Sequence, residues 1–251
     1  MNPIICADFP EPDVIRVGDT YYMICATMHF FPGGTLLKSY DLVHWEIAAH
    51  VFERLDDTPA EQLEGEQSIY GKGMWAASLR YHKDTFYVCF ASYDTGKTYI
   101  YRTKNINEPW EKRSLDGVYH HPSLLFDEDG RIYMGYGFNE VRILELNDTL
   151  TAPKEGGFER LLVEEKQDAY ISYEGAHFYK KDGTYYIFVI QWLKGNLTQR
   201  EQLCLYGDSL DGEFKKEMVF SENLGFPMKG VAQGGIVDTP EGDWYSAMYQ
   251  E

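Results

Sequence analysis

Apolar and polar positions alternate in short runs along the whole chain, and one pattern recurs five times. An apolar strand is followed by a polar turn and by a second strand that opens on paired aromatic or apolar residues. The copies are Val14–Met23, Leu79–Val88, Leu124–Met134, His177–Ile187 and Ile236–Ser246. Several carry Gly-Asp or Asp-Gly at the turn, residues that tolerate positive φ and so mark hairpins. A second unit, a strand, a turn and a strand begun by an aromatic, follows at Leu37–Glu46, Tyr101–Glu111 and, more weakly, Leu205–Phe214. The two units together predict a four-stranded meander of roughly 50 residues, the size of one propeller blade. Five copies predict an all-β, five-bladed β-propeller, a single domain over residues 1–251. The last copy stops at Glu251. The fifth blade is therefore expected to be incomplete, a truncated propeller without an accessory β-sandwich, whose open edge offers a route to an oligomer. No long helix is predicted. The polar stretch Asp57–Gln67 reads as a loop with a short helical turn.

Composition narrows the partners. The formal net charge of −17 repels phosphate backbones and anionic membranes, so neither nucleic acid nor a membrane is expected. No run of about 18 apolar residues is present to span a bilayer. The N-terminus shows neither a basic n-region nor an apolar h-region, so the chain reads as cytoplasmic. Cys6, Cys25, Cys89 and Cys204 are far apart and follow no zinc-binding spacing; Cys25 and Cys89 read as buried thiols. The 20 tyrosines suit strands, and flat rings also suit a sugar-binding face.

A propeller brings the start of each innermost strand to a central funnel, so candidate chemistry lies just upstream of each repeat. Those segments are Asp8–Asp13, Gly73–Ser78, Tyr119–Ser123, Ile171–His177 and Gly230–Gly235. They place carboxylates, an indole and imidazoles around one axis. Cleavage of a glycosidic bond needs two carboxyl groups across it.

With these motifs the chain resembles glycoside hydrolase family 43, the β-xylosidases, α-L-arabinofuranosidases and arabinanases. The resemblance runs from Asn2 to Gln250. It rests on the Pro-rich first strand before Val17-Gly18-Asp19-Thr20-Tyr21-Tyr22, on Ser39-Tyr40-Asp41-Leu42 with Trp45, and on Trp75-Ala76. Pro122-Ser123-Leu124, Glu174-Gly175 and Gln233-Gly234-Gly235-Ile236 complete it. It implies an inverting hydrolase, exo-acting on xylo- or arabino-oligosaccharides, with Glu174 as the acid. The family's base is an Asp between two prolines, and here Glu11 stands there. The family's third acidic residue is an Asp before Pro-Ser, and here His121 stands there. Two of three catalytic positions depart from the pattern.

The departures have physical consequences. Glu11 reaches about an ångström further than Asp, enough to displace a catalytic water. A charged His121 would pull the pKa of Glu174 down, where a carboxylate would push it up. Asp8 and Asp13 are candidate substitute bases. The same resemblance implies that Trp75 stacks on sugar, that the loop bearing His29, Phe30 and Phe31 walls the terminal sugar, and that Gln233 contacts a sugar or water. Some members hold a central calcium through a His in blade five. No such His follows here, so no metal or other cofactor is expected. The alternative reading is a catalytically degenerate, carbohydrate-binding propeller. A phosphorylase is disfavoured because no paired Arg or Lys marks a phosphate pocket near the inner strands.

Overall fold

The computed structural model describes residues 2–164, 169–193, 200–225, 230–231 and 233–250. Among them every regular element is a β-strand, and no helix is present that could cross a membrane. The chain forms four antiparallel sheets, each a meander in chain order. The first holds β1 (Asp13–Val17), β2 (Thr20–Cys25), β3 (Gly33–Ser39) and β4 (Glu46–Phe52). The second holds β5 (Met74–His82), β6 (Thr85–Ser92), β7 (Lys97–Thr103) and β8 (Glu111–Asp116). The third holds β9 (Ser123–Phe126), β10 (Ile132–Tyr136), β11 (Glu140–Leu146) and β12 (Glu159–Glu164). The fourth holds β13 (Ala169–Lys181), β14 (Thr184–Leu193), β15 (Arg200–Gly207) and β16 (Lys215–Phe220). A two-stranded sheet, β17 (Ile236–Asp238) with β18 (Trp244–Ser246), follows and packs beside β1. The sheets stand as blades of a β-propeller.

All five hairpins expected from the sequence form, with β1–β2, β5–β6, β9–β10, β13–β14 and β17–β18 in antiparallel register. At the β13–β14 turn both Asp182 and Gly183 have positive φ, the hairpin geometry that an Asp-Gly pair favours. The outer pair of the third blade, β11–β12, escaped the sequence pattern. A loop over residues 147–158 separates its strands, so no short second unit is visible there. Asp57–Gln67 is a loop containing one turn, with Gln62 N–H donating to the Thr58 carbonyl.

The core lies between blades. Along β9 successive residues face opposite neighbours: Leu124 packs with Cys89, Ile100 and Met134 towards the second blade, and Leu125 with Tyr133, Phe178 and Ile187 towards the fourth. Both faces of β9 are thus buried, and Leu124, Leu125 and Phe126 run apolar without alternation.

At the axis the inner strands approach without a backbone ladder between them, so side chains satisfy their free N–H groups. Asp13 Oδ2 accepts from Leu79 N at 2.8 Å, Ser78 Oγ from Leu124 N at 3.1 Å, and Ser123 Oγ from Phe178 N at 2.9 Å. The Tyr179 hydroxyl accepts from Ile236 N at 3.2 Å. Arg80 knits them together. Its guanidinium reaches Asp13 Oδ2 (2.6 Å), the Leu124 carbonyl (2.8 Å), Ser123 Oγ (2.7 Å) and the Phe178 carbonyl (3.0 Å). Gly235 allows the closest approach here: a Cβ at that position would lie 2.1 Å from the Tyr179 hydroxyl oxygen.

Asp13 is fully buried, and burial opposes its ionisation. Arg80 and then His177 outweigh burial and hold the carboxyl well below the usual range. Replacing Arg80 by Met would strand this charge. Arg80→Met is expected to lose about 3–5 kcal/mol of unfolding free energy. Urea denaturation followed by tryptophan fluorescence checks it, and a loss below about 1 kcal/mol would contradict an ion pair at the hub.

Candidate active site

The site residues sit where the inner strands begin, and the backbone there is irregular. Glu11, His121 and Gln233 all have positive φ (54°, 46° and 56°), a conformation that non-glycine residues rarely adopt. Glu174 lies between two register shifts of β13, and Trp75 lies in a shift of β5. Bulges and left-handed residues re-aim side chains that a regular strand would send to alternate faces. His120 and His121 show the effect: consecutive residues, yet their rings stack at 3.8 Å. Gly175, also at positive φ, lets Gln233 approach, since a Cβ there would lie 2.8 Å from Gln233 Cγ.

These distortions bring four blades and the last hairpin to one buried cluster. Gln233 Nε2 donates to Glu11 Oε1 at 3.1 Å and lies 3.2 Å from His121 Nδ1. His121 Nε2 is 3.7 Å from Glu11 Oε1, and its Nδ1 is 3.9 Å from Glu174 Oε1. The His121 ring therefore stands between the two carboxyls. Glu174 Oε1 meets His120 Nε2 at 2.8 Å, and the Tyr93 hydroxyl bonds His120 Nδ1. Trp75 faces Tyr93, His120 and His121 with ring centroids 5.4, 5.8 and 5.8 Å away.

A profile of "Glycosyl hydrolases family 43" matches residues 1–251. The chain belongs to this family. A β-xylosidase of Formosa agariphila is 29% identical over 98% of the chain and 45% of its own length. A non-reducing-end α-L-arabinofuranosidase of Bacteroides ovatus is 30% identical over 98% of the chain and 46% of its own length. Among solved structures, a "bifunctional GH43-CE" protein of Bacteroides eggerthii superposes with a TM-score of 0.91 at 38% identity, covering 98% of this chain and 32% of that one. The chain thus spans about half the length of the curated relatives it matches.

Within this family 43 chain, Glu11, His121, Glu174, Gln233 and Trp75 converge as the sequence suggested. The wall loop divides. His29 accepts from Gly71 N at 2.9 Å and stacks on Tyr70 at 4.2 Å, Phe30 is exposed, and Phe31 packs on Phe52 of the core. Asp13 is no substitute base: it is sealed at the axis with Arg80. Asp8 is exposed and makes no contact described with the cluster. Ala232, within the expected segment Gly230–Gly235, lies outside the described residues. A cavity of about 610 Å³ lies elsewhere, lined by Ile4, Ile5, Phe9, Met23 and Met248, and contains neither Glu11 nor Glu174.

The electrostatics correct one expectation. His121 does not bring a positive charge to Glu174. Burial first, then the neighbouring His120 and His177, push its pKa well below the ordinary value and keep it neutral. The direct partner of Glu174 is His120, which the sequence placed in the funnel without giving it a role. Its signal was adjacency to His121. Tyr93 had no signal, because it lies just beyond the end of β6 and meets His120 only when the blades close. Tyr93, His120 and Glu174 form a chain that can hold a proton in either direction. An ionised Glu174 accepts from His120 Nε2–H while Tyr93 donates to Nδ1; a protonated Glu174 donates to Nε2 while Nδ1–H donates to Tyr93.

Burial, and next the charge of Glu174, push the Glu11 pKa up to about 8, against lesser opposing contributions from Gln233, Arg200 and the Ala76 N–H. A carboxyl raised from its ordinary 4.5 adds stability in full below pH 4.5 and loses it as pH rises towards 8. Glu11→Gln cannot ionise. In chelator-treated protein its stability is expected to match the parent near pH 4 and to exceed it by a few kcal/mol at most above pH 8. Thermal unfolding across this range checks it; a difference independent of pH would show that Glu11 ionises freely.

Proposed function

We propose that the chain is an inverting, exo-acting glycosidase on xylo- or arabino-oligosaccharides. The observation that carries this reading is the pair of carboxyls, Glu11 and Glu174, held on either side of one imidazole. A ring's width and two contacts of 3.7 and 3.9 Å keep those oxygens within about 10 Å, compatible with the roughly 6.5–9.5 Å that leaves room for a water. Family membership and relatives named as a β-xylosidase and an α-L-arabinofuranosidase support the sugar class. The β17–β18 hairpin, packed beside β1, supports reading it as the inner half of a fifth blade. Its outer strand carries the exposed Trp244 and Tyr245, to which a further strand or a second copy could add.

In this mechanism Glu174 gives its proton to the glycosidic oxygen as the bond to the anomeric carbon breaks. Glu11 takes a proton from the water that attacks the opposite face. Each turnover leaves Glu11 protonated and Glu174 ionised, and solvent restores both. His120 holds the Glu174 carboxyl in place and, with Tyr93, offers its route back to the protonated form. Trp75 stands beside the imidazoles as the surface for the sugar ring, its flat indole suited to the C–H groups on one face of that ring.

One observation favours the alternative, a binding propeller without turnover. With its pKa near 8, Glu11 is mostly protonated at neutral pH and cannot accept a proton. The two readings separate on pH. An active enzyme is expected to show a bell-shaped kcat/KM for aryl β-xyloside or α-L-arabinofuranoside that falls as pH rises past about 8, where the one proton that Glu11 and Glu174 share is lost. Glu174→Gln should lower it by about 10²–10⁴-fold. Absence of hydrolysis from pH 5 to about 9, with xylo-oligosaccharide binding retained in calorimetry, would leave the binding reading.

A further inference from the structure

The same funnel carries a donor set that shares Glu174 with the proposed hydrolysis and has a second chemical capacity. His120, His121 and Glu174 each present one ligand-type atom, and these atoms all lie within 4.8 Å of one another. Two ligands of a tetrahedral zinc ion, each about 2.0–2.1 Å from the metal, stand about 3.3 Å apart. The distances of 2.8 Å (His120 Nε2 to Glu174 Oε1) and 3.9 Å (His121 Nδ1 to Glu174 Oε1) straddle that value. The cluster is also closed to solvent: His120 and His121 are only 8% and 1% exposed, so an ion held by them would lie out of bulk water.

We propose that His120, His121 and Glu174 form a binding site for one divalent transition cation of the zinc class. Two imidazoles and a carboxylate are the donor set such ions prefer, while calcium and magnesium prefer oxygen alone. At the axis Arg80 already takes oxygens of Asp13, Leu124 and Phe178. Tyr93 on His120 Nδ1 supplies the outer partner that fixes the tautomer of a ligating His and leaves Nε2 free for metal. Binding requires the stacked rings to splay so that both lone pairs converge, and His121 to exchange its contact with Gln233 for the ion. Three protein ligands leave a position for water or a sugar hydroxyl. The ion occupies the carboxylate of Glu174, so cation and acid catalysis exclude each other at this residue.

The site is tested on chelator-stripped protein titrated with CoCl₂, followed by visible ligand-field absorption, and with ZnCl₂ in a calorimeter. One equivalent of each is expected to bind, with zinc at least about tenfold tighter than calcium, as imidazole donors dictate. His120→Asn and His121→Gln should each weaken zinc at least tenfold, and Tyr93→Phe, which leaves all three ligands, by about tenfold. Circular dichroism verifies that each variant is folded, and Tyr93→Phe serves if the ligand variants are not. Equal affinity for calcium and zinc, no cobalt spectrum, or affinity unchanged in the folded variants would overturn the site and assign any binding to the acidic surface. These readouts need no turnover, so a protein that hydrolyses nothing can still bind zinc. If hydrolysis is present, zinc should suppress it and chelator restore it; zinc-insensitive hydrolysis at saturating zinc would also overturn the proposal.

Discussion

Blades of a propeller meet at the axis by their first strands, and the inner edges of those strands have no ladder partner. In a dry centre each unpaired N–H would cost free energy comparable to a lost hydrogen bond. This chain meets the constraint with one side-chain acceptor from each inner strand to the N–H of the next: Asp13 to Leu79, Ser78 to Leu124, Ser123 to Phe178 and Tyr179 to Ile236. Arg80, bonded to three of these strands besides its own, converts four separate contacts into one hub. Everything above it, including the funnel, takes its position from that network.

The hub also explains a division of labour among charged residues. Asp13 and Glu11 are two positions apart, both buried, and driven in opposite directions. Asp13 faces a guanidinium and stays ionised; Glu11 faces burial and the Glu174 charge and holds its proton. Arg80 secures the fold at the axis, while the two carboxyls above it stand close enough for the charge of one to favour the proton of the other, which is the condition under which carboxyls acquire catalytic or ligand-binding properties.

Strain concentrates where the chemistry does. Positive φ at Glu11, His121 and Gln233, with shifted register around Glu174 and Trp75, is the local expense of turning five strand starts towards one point. Glu11, His121 and Glu174 stay within reach of one another, Glu174 pairs with His120, and two imidazoles beside a carboxylate give the site a donor set with more than one chemical capacity.

The five hairpins were legible because apolar runs broken by polar, often Asp-Gly or Gly-Asp, turns are local, and the inner segments followed because they precede each hairpin. The segments bearing Glu174, Glu11, His121, Trp75 and Gln233 could be named on that basis; the choice of these residues within them came from the resemblance to family 43. The outer strands of the third blade could not, since residues 147–158 interrupt the short unit. Nor could the roles of Arg80, Tyr93 and His120, or the sealing of Asp13. The partners in other blades that define those roles lie from 27 to 166 residues away. Alternation is written in neighbouring residues, so the chain alone determined its blades. Charge state, burial and the company of each imidazole depend on what the other blades bring to the axis, so only the closed propeller decided them.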